Sequence, residues 1–338
     1  MVGLMLLSGC ASRVEDISRE GRASATRFVY SPYKHVPIAL DSATRALSTA
    51  VRGTPTPLVV DGRSTLPSGV TALTLAFATG DCGTETWDGM DPGAWVDANL
   101  RGLDRAGIDY IISAGGEAGV FTCASDAGME AFISRYMSPH LIGFDFDIEH
   151  AQSEDVLASL VRRIASAQRR HPNLRFSFTL ATWAANDGSL ASLNADGERV
   201  MRAIRDARLD DFYINLMVMD YGEARPGNCV VSTGVCDMGQ SAIQAAHNLN
   251  ARHSVPFNRV ELTPMLGVND VVANVFTLDD ARMLARFARQ NGLGGVHFWS
   301  LDRDTTCPPG VSGVSSTCSG LQGAVAFAFT AAIRDELR

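Results

Sequence analysis

A chain of 338 residues, 46% of them apolar and 20% charged, can bury a large core and suits one barrel-sized domain better than two small ones. Its net charge of -8, with 29 basic residues spread thinly against 37 acids, argues against a nucleic-acid partner, since phosphate backbones recruit clusters of Lys and Arg. A neutral polymer is acceptable as a partner, and no apolar run reaches the ~20 residues of a membrane span.

The N-terminus, MVGLMLLSGCAS, is a short apolar segment ending in small residues and a cysteine, with a polar stretch from Ser12 to Arg27 after it. It resembles the lipobox of bacterial lipoproteins at Leu7, Ser8, Gly9 and Cys10, though without a basic n-region and with a short h-region. The resemblance implies lipid on Cys10 and an anchor to a bacterial membrane; residues 1–26 then form a leader and 27–338 the folded domain. Six further cysteines admit 15 pairings, and loop proximity favours Cys229 with Cys236, Cys307 with Cys318 and Cys82 with Cys123. None has the C-x-x-C spacing of a zinc site, so no metal and no cofactor is expected. The expected compartment is oxidising and extracytoplasmic, envelope-anchored or secreted.

Arg27 to Tyr30 reads as a short strand running into SPYKHVP, and Ser42 to Val51 as a first helix; Gly53 to Gly69, punctuated by Pro and Gly, is a loop or hairpin. Strands then alternate with helices. Thr71–Thr79 is a strand, and Asp91-Pro92 caps a helix carrying Trp95, Val96, Leu100 and Leu103 that stops at Gly107. Asp109–Ser113 is a strand, Ala127–Tyr136 a helix, Leu141–His150 a strand, and Ser153 caps a helix with its apolar face at Val156, Leu157, Leu160, Val161 and Ile164. Strands at Leu174–Ala181, Asp211–Met219, Arg259–Leu266 and Gly295–Trp299 alternate with helices at Ala195–Ala207, Gly239–Ala251 and from Thr277 to Gly292; Gly323–Leu337 closes the chain. Eight strands alternating with eight helices favour a single-domain α/β fold closed into a (β/α)8 TIM barrel. A doubly wound open sheet would carry a G-x-G-x-x-G turn after an early strand, and none is present.

The chemistry concentrates in LIGFDFDIEH, residues 141–150, where Asp145, Asp147 and Glu149 occupy alternate positions. On a strand they share one face, about 6.5 to 7 Å apart, while Ile142, Phe144, Phe146 and Ile148 want burial on the other. Like charges this close raise at least one pKa and make one acid a proton donor near neutral pH. Gly143, Asp145, Asp147 and Glu149 match the D-G-x-D-x-D-x-E signature, and the run resembles glycoside hydrolase family 18, the chitinases. The first acid of the signature falls at Ile142, a change read as tuning the far end of the acid relay.

Further motifs carry the resemblance along the chain from Phe28 to Leu337. Ser113, Gly115 and Gly116 are similar to the S-x-G-G motif; Met219 and Tyr221 to M-x-Y, followed here by Gly222 where the family often has an acid; and Trp299 to the tryptophan under the cleaved sugar. The resemblance implies Glu149 as proton donor, Asp147 as the group holding and stabilising the substrate acetamide, Asp145 as the support of Asp147, and Tyr221 as the hydroxyl that positions the acetamide carbonyl. Trp299, Met219, Ser113, Gly115, Gly116, Phe77, Trp183 and Trp87 are the substrate-binding candidates, whereas Trp95 belongs to the core. About 28 residues separate Leu266 from the eighth strand, enough for one helix and too few for the α+β module that walls a deep cleft in many family members.

The implied function is a monomeric, endo-acting, retaining chitinase that cuts β-1,4-linked N-acetylglucosamine polymers with the substrate acetamide as nucleophile. A chitin-binding lectin on the same fold, an endo-β-N-acetylglucosaminidase acting on glycoproteins, and a metal-dependent barrel phosphodiesterase are the alternatives. Lectins of this kind usually lose the acid that Glu149 retains.

Overall fold

A computed structural model describes residues 28–150, 152–311 and 313–338. The N-terminal lipobox reading, Cys10 included, lies outside these residues. The central sheet is built from β1 (Val29–Tyr30), β2 (Tyr33–His35), β3 (Ala72–Asp81), β4 (Asp109–Gly115), β5 (Leu141–Ile148), β6 (Arg175–Ala181), β7 (Tyr213–Met217), β8 (Val260–Thr263) and β9 (Gly295–Val296). All neighbours are parallel, in the order β1-β9-β8-β7-β6-β5-β4-β3-β2. β1 and β2 are two halves of one stave interrupted at Ser31-Pro32. Its first half bonds β9 and its second half bonds β3, so the sheet curls until its ends meet, and the interior is a packed core.

Seven helices among the described residues cover the outside: α1 (Pro92–Ala106), α2 (Asp126–Arg135), α3 (Glu154–Arg170), α4 (Ala195–Ala207), α5 (Met238–His253), α6 (Leu278–Asn291) and α7 (Ala328–Leu337). The starts of α1 to α6 obey local capping chemistry. Asp91 accepts from the Ala94 amide with Pro92 in the first turn, Ser153 accepts from Val156, and Thr277 with Asp280 forms a reciprocal capping box. The buried stripes, such as Leu157, Leu160, Val161 and Ile164 of α3, face the outer side of the staves.

The helix expected at Ser42–Val51 does not form. Asp41 Oδ1 accepts from the amides of Ala43 and Thr44 and from the Thr44 hydroxyl, Arg45 takes a left-handed φ of 60°, and Ser48–Thr49 pairs antiparallel with Thr56–Pro57. Short polar side chains that bond nearby backbone offer an alternative to the helical ladder, and they win here. A second hairpin, Val59–Val60 against Arg63–Ser64, completes the Pro- and Gly-punctuated stretch. The three disulfides join Cys82 to Cys123, Cys229 to Cys236 and Cys307 to Cys318, the pairings that loop proximity favoured. No helix among the described residues is long and apolar enough to cross a membrane.

Candidate active site

β5 carries the acid row. Phe144 and Phe146 point outward and pack on Phe132 and Phe121, with ring centroids 5.0 and 5.8 Å apart, which leaves Asp145 and Asp147 on the inner face and Glu149 just past the strand end. Gly143 is required where β5 meets β6, because a Cβ there would lie 1.9 Å from the Arg175 carbonyl oxygen. Between Leu141 and Gly143 the register with β4 shifts by one residue, and Ile142 is the extra residue of this bulge. It lines a separate recess at the opposite end of the barrel with Asp109 and His140. An acid at Ile142 would therefore stand out of the row, and the expectation that this position tunes the far end of the relay is corrected.

The three acids sit in graded surroundings. Asp145 is 1% exposed and accepts four hydroxyl donors: Ser113 Oγ at 2.7 Å, Thr179 Oγ1 at 2.7 Å, Ser177 Oγ at 2.9 Å and Tyr33 OH at 2.9 Å. Asn215 Nδ2 donates to the same Tyr33 and Thr179 oxygens, so both hydroxyl protons are directed at Asp145. Burial nevertheless pushes its pKa up, opposed by these donors. Asp147 is 5% exposed, and its Oδ1 has no hydrogen-bond partner among the described residues. Burial, then the charges of Glu149 and Asp145, hold its pKa well above the carboxylate range. Glu149 is half-buried and raised to about 7, first by desolvation and then by the nearby Glu117 carboxylate. The row therefore carries fewer than three negative charges near neutrality, with the raised Glu149 carboxyl the group closest to changing its protonation there.

Asp147 and Glu149 open into a cavity of about 690 Å³ at the C-terminal ends of the staves. Trp299 forms an aromatic wall with Phe77, their rings nearly parallel with centroids 5.6 Å apart, and His35 closes on the same indole at 5.4 Å. Trp183, 38% exposed, lines another side, and Met217, Met219 and Met265 supply apolar surface. Such a mixture of flat apolar faces and a few convergent acids suits a sugar, whose ring faces are apolar and whose edges are polar.

Several predicted site residues stand elsewhere. Tyr221 is fully buried, its hydroxyl has no partner among the described residues, and it does not line the cavity. β7 ends at Met217, and Asp220 turns to a left-handed φ of 50°, so strand alternation fails and Asp220 lines the cavity instead. Trp87 is also removed from sugar contact. The chain after β3 folds back so that Thr86–Trp87 pairs antiparallel with β3, burying the indole on Trp95 at 4.3 Å with its Nε1 donating to Tyr136 OH at 2.8 Å. Trp95 is core, as its helix position implied. Ser113, Gly115 and Gly116 lie behind the acids and do not touch the cavity. Ser113 bonds Asp145, the Gly116 amide bonds the Asp147 carbonyl at 3.1 Å, and a Cβ on Gly115 would meet that carbonyl at 2.1 Å.

Cavity residues that sequence reasoning passed over include Tyr33, His35, Glu117, Thr179, Asp220 and Asp270. Two of them had a local signal: Glu117 follows the glycine pair at a strand exit, and Tyr33 lies in SPYKHVP directly after the first strand.

No family model matches the chain. It is 28% identical over 263 residues to "Endochitinase 11" of Metarhizium anisopliae, an alignment covering 70% of this chain and 48% of that protein. It is 29% identical over 274 residues to the "Probable bifunctional chitinase/lysozyme" of Escherichia coli K12, covering 75% of this chain and 30% of that protein. The chain thus spans about half the length, or less, of these curated relatives. The crystal structure of the catalytic domain of a hyperthermophilic chitinase from Pyrococcus furiosus matches with TM-score 0.67 and 25% identity, over 92% of this chain and 95% of that one. The chain is chitinase-like in sequence and fold. Catalytic-site mutants of active domain 2 of the Pyrococcus furiosus chitinase, solved with chito-oligosaccharides, match with TM-score 0.66 and 24% identity over 93% of this chain and 97% of theirs.

Proposed function

We propose that this protein is a glycoside hydrolase acting as a chitinase, endo-acting and retaining, with the substrate acetamide as nucleophile. The observation that carries the reading is Asp147, whose Oδ1 is buried without a hydrogen-bond partner among the described residues, lining one cavity together with Glu149 and an aromatic wall. An acceptor left unsatisfied in a site of low dielectric is costly unless a ligand N–H completes it. The N–H of a sugar acetamide supplies that donor. Glu149 protonates the leaving oxygen, Asp147 orients the acetamide and stabilises the positive charge that develops on it, and Asp145 fixes Asp147 from below. The Tyr221 hydroxyl, the donor assigned to the acetamide carbonyl, is also buried without a partner among the described residues, and Asp147, an acceptor from the acetamide N–H, does not replace it.

Asp147 and Glu149 come from one strand and approach the sugar from one side, so neither is placed to attack the opposite face as an ordinary retaining nucleophile must. Hydrolysis then requires an N-acetyl group on the sugar at the non-reducing side of the cut, with retention at the anomeric carbon. Between β8 and β9 the chain makes one hairpin, Gly267–Val268 against Val275–Phe276, and then α6; this supports an open cleft that cuts long chains internally. Three disulfides support an oxidising compartment. Lipidation of Cys10, attachment to a bacterial envelope and a monomeric state belong to the same proposal.

Hydrolysis of colloidal chitin and N-acetylglucosamine oligomers by the wild type and by Glu149→Gln tests the reading. The variant is expected to bind and not to cut. Retention of more than a tenth of the wild-type rate, release of the inverted anomer first, or equal cutting of cellulose oligomers rejects it. A high-mannose glycoprotein in the same assay decides against the endo-β-N-acetylglucosaminidase reading, which the same acids could serve.

A further inference from the structure

The seam that closes the barrel changes character at the level of the cavity. Below the cavity β1 is bonded to β9, and among the described residues the last backbone hydrogen bond across the seam runs from the Tyr33 amide to the Phe298 carbonyl, 3.1 Å. Beyond it β2 pairs with β3, while the Trp299 amide turns to the Pro264 carbonyl and the Trp299 carbonyl accepts from the Leu266 amide, both at 2.8 Å. The Trp299 backbone is thus bound on the β8 side, and side chains take over the seam. On the inner face His35 packs on the Trp299 indole with ring centroids 5.4 Å apart. On the outer face the fully buried Lys34 donates from Nζ to Asp302 Oδ2 at 2.7 Å, to the His35 carbonyl at 2.9 Å and to the Ile38 carbonyl at 2.6 Å, which uses all three ammonium donors. Asp302, 2% exposed, lies in the 3-10 turn Leu301–Arg303, directly after the Trp299-Ser300 pair. Burial pushes the Lys34 ammonium down and the Asp302 carboxyl up, each opposed by its partner. A pair this desolvated adds little net stability over apolar side chains of similar volume, so stability alone does not account for it.

We propose that Lys34 and Asp302 are positioning residues whose ion pair clamps the exit of the first stave to the segment after Trp299, holding His35 and Trp299 together as a preformed face for the sugar. Neither residue of the pair lines the cavity. The use of that face rests on the chitinase reading above; the clamp itself does not. A wall set before binding spares the complex the entropy of ordering it.

The test compares Lys34→Met, which strands Asp302 as a buried charge, with the double variant Lys34→Met/Asp302→Leu, which replaces the pair by apolar side chains. Each protein is labelled with fluorotryptophan, and single Trp→Phe variants assign the fluorine resonances; Trp87 and Trp95, stacked on each other in the core, report on the fold, and Trp299 on the wall. The double variant is expected to melt near the wild type and to shift or broaden the Trp299 resonance while those of Trp87 and Trp95 stay in place. Its KM on N-acetylglucosamine oligomers should rise about five- to tenfold with kcat within about twofold, the scale of ordering one or two side chains on binding. A Trp299 resonance and a KM equal to wild type in the double variant overturn the proposal. Core resonances that move together with Trp299 overturn it too, because the pair would then serve the whole fold, and failure of both variants to fold does the same. A Trp299 resonance that moves as expected, in a protein whose wild type cuts no N-acetylglucosamine oligomer, overturns the chitinase reading and leaves the clamp intact.

Discussion

In the proposed reaction the chemistry turns on Glu149, and its environment fixes a pH window. Burial first and the Glu117 carboxylate second raise it to about 7; His150, whose Nε2 bonds the Glu117 carbonyl, and the Glu117 amide act in the opposite direction, while Asp220 adds to the rise. A general acid works protonated, so kcat/KM should fall as pH rises through about 7. Glu117→Gln removes a negative neighbour and should move that alkaline limb to lower pH, costing a few-fold in activity at about pH 8 and little at pH 5. Full pH profiles of both proteins check this. A limb that stays in place, with activity reduced equally at all pH values, would show that Glu117 only shapes the loop.

At the scale of the element, the acid strand depends on its neighbours coming close. Gly143 faces the Arg175 carbonyl and Gly115 the Asp147 carbonyl, both at distances no Cβ can tolerate. Gly143→Ala should therefore force β5 away from β6, lowering the melting temperature by several degrees, at a cost of about 1–3 kcal/mol for overpacking. A melting temperature within a degree of wild type would mean that the strands separate without penalty. α7 shows the same dependence on distant partners. It begins at Ala328, five residues later than the glycine expected to open it, and the carboxylate of Asp304 caps it by accepting from the amides of Phe329 and Thr330 at 2.9 and 2.8 Å.

For the whole molecule, the base of the barrel is tied by a buried ion pair. Arg175 on β6 donates to Glu261 on β8, stacks over the Tyr213 ring on β7 with its Cζ 3.2 Å from the centroid, and reaches the Gly294 carbonyl beside β9. Burial alone would raise Glu261, but Arg175 and His297 outweigh it and hold the carboxyl at about 2. A depressed carboxylate contributes stability that is present above its unfolded value, about 4.3, and lost as pH falls through about 2. Arg175→Met leaves Glu261 buried with its main countercharge gone and should cost about 3–5 kcal/mol near neutrality. The variant should unfold in acid at a higher pH than the wild type; identical acid midpoints in circular dichroism would refute the coupling.

The amino-acid sequence by itself determined what depends on short spacing. Alternation put Asp145, Asp147 and Glu149 on one face, the 3.6-residue period and the caps at Asp91, Ser153 and Thr277 defined helices, and the count of alternating elements specified the barrel. Three predicted cavity aromatics, Trp299, Phe77 and Trp183, followed from lying at strand exits. Tertiary structure decided the rest, because alternation holds only while a strand stays in its ladder. The left-handed turn at Asp220 exchanged it for Tyr221, and the return of Thr86–Trp87 onto β3 buried an indole that local pattern left free. The hydroxyl of Tyr33 meets Asp145 across 112 positions of chain, a contact that exists only once the first stave closes the barrel.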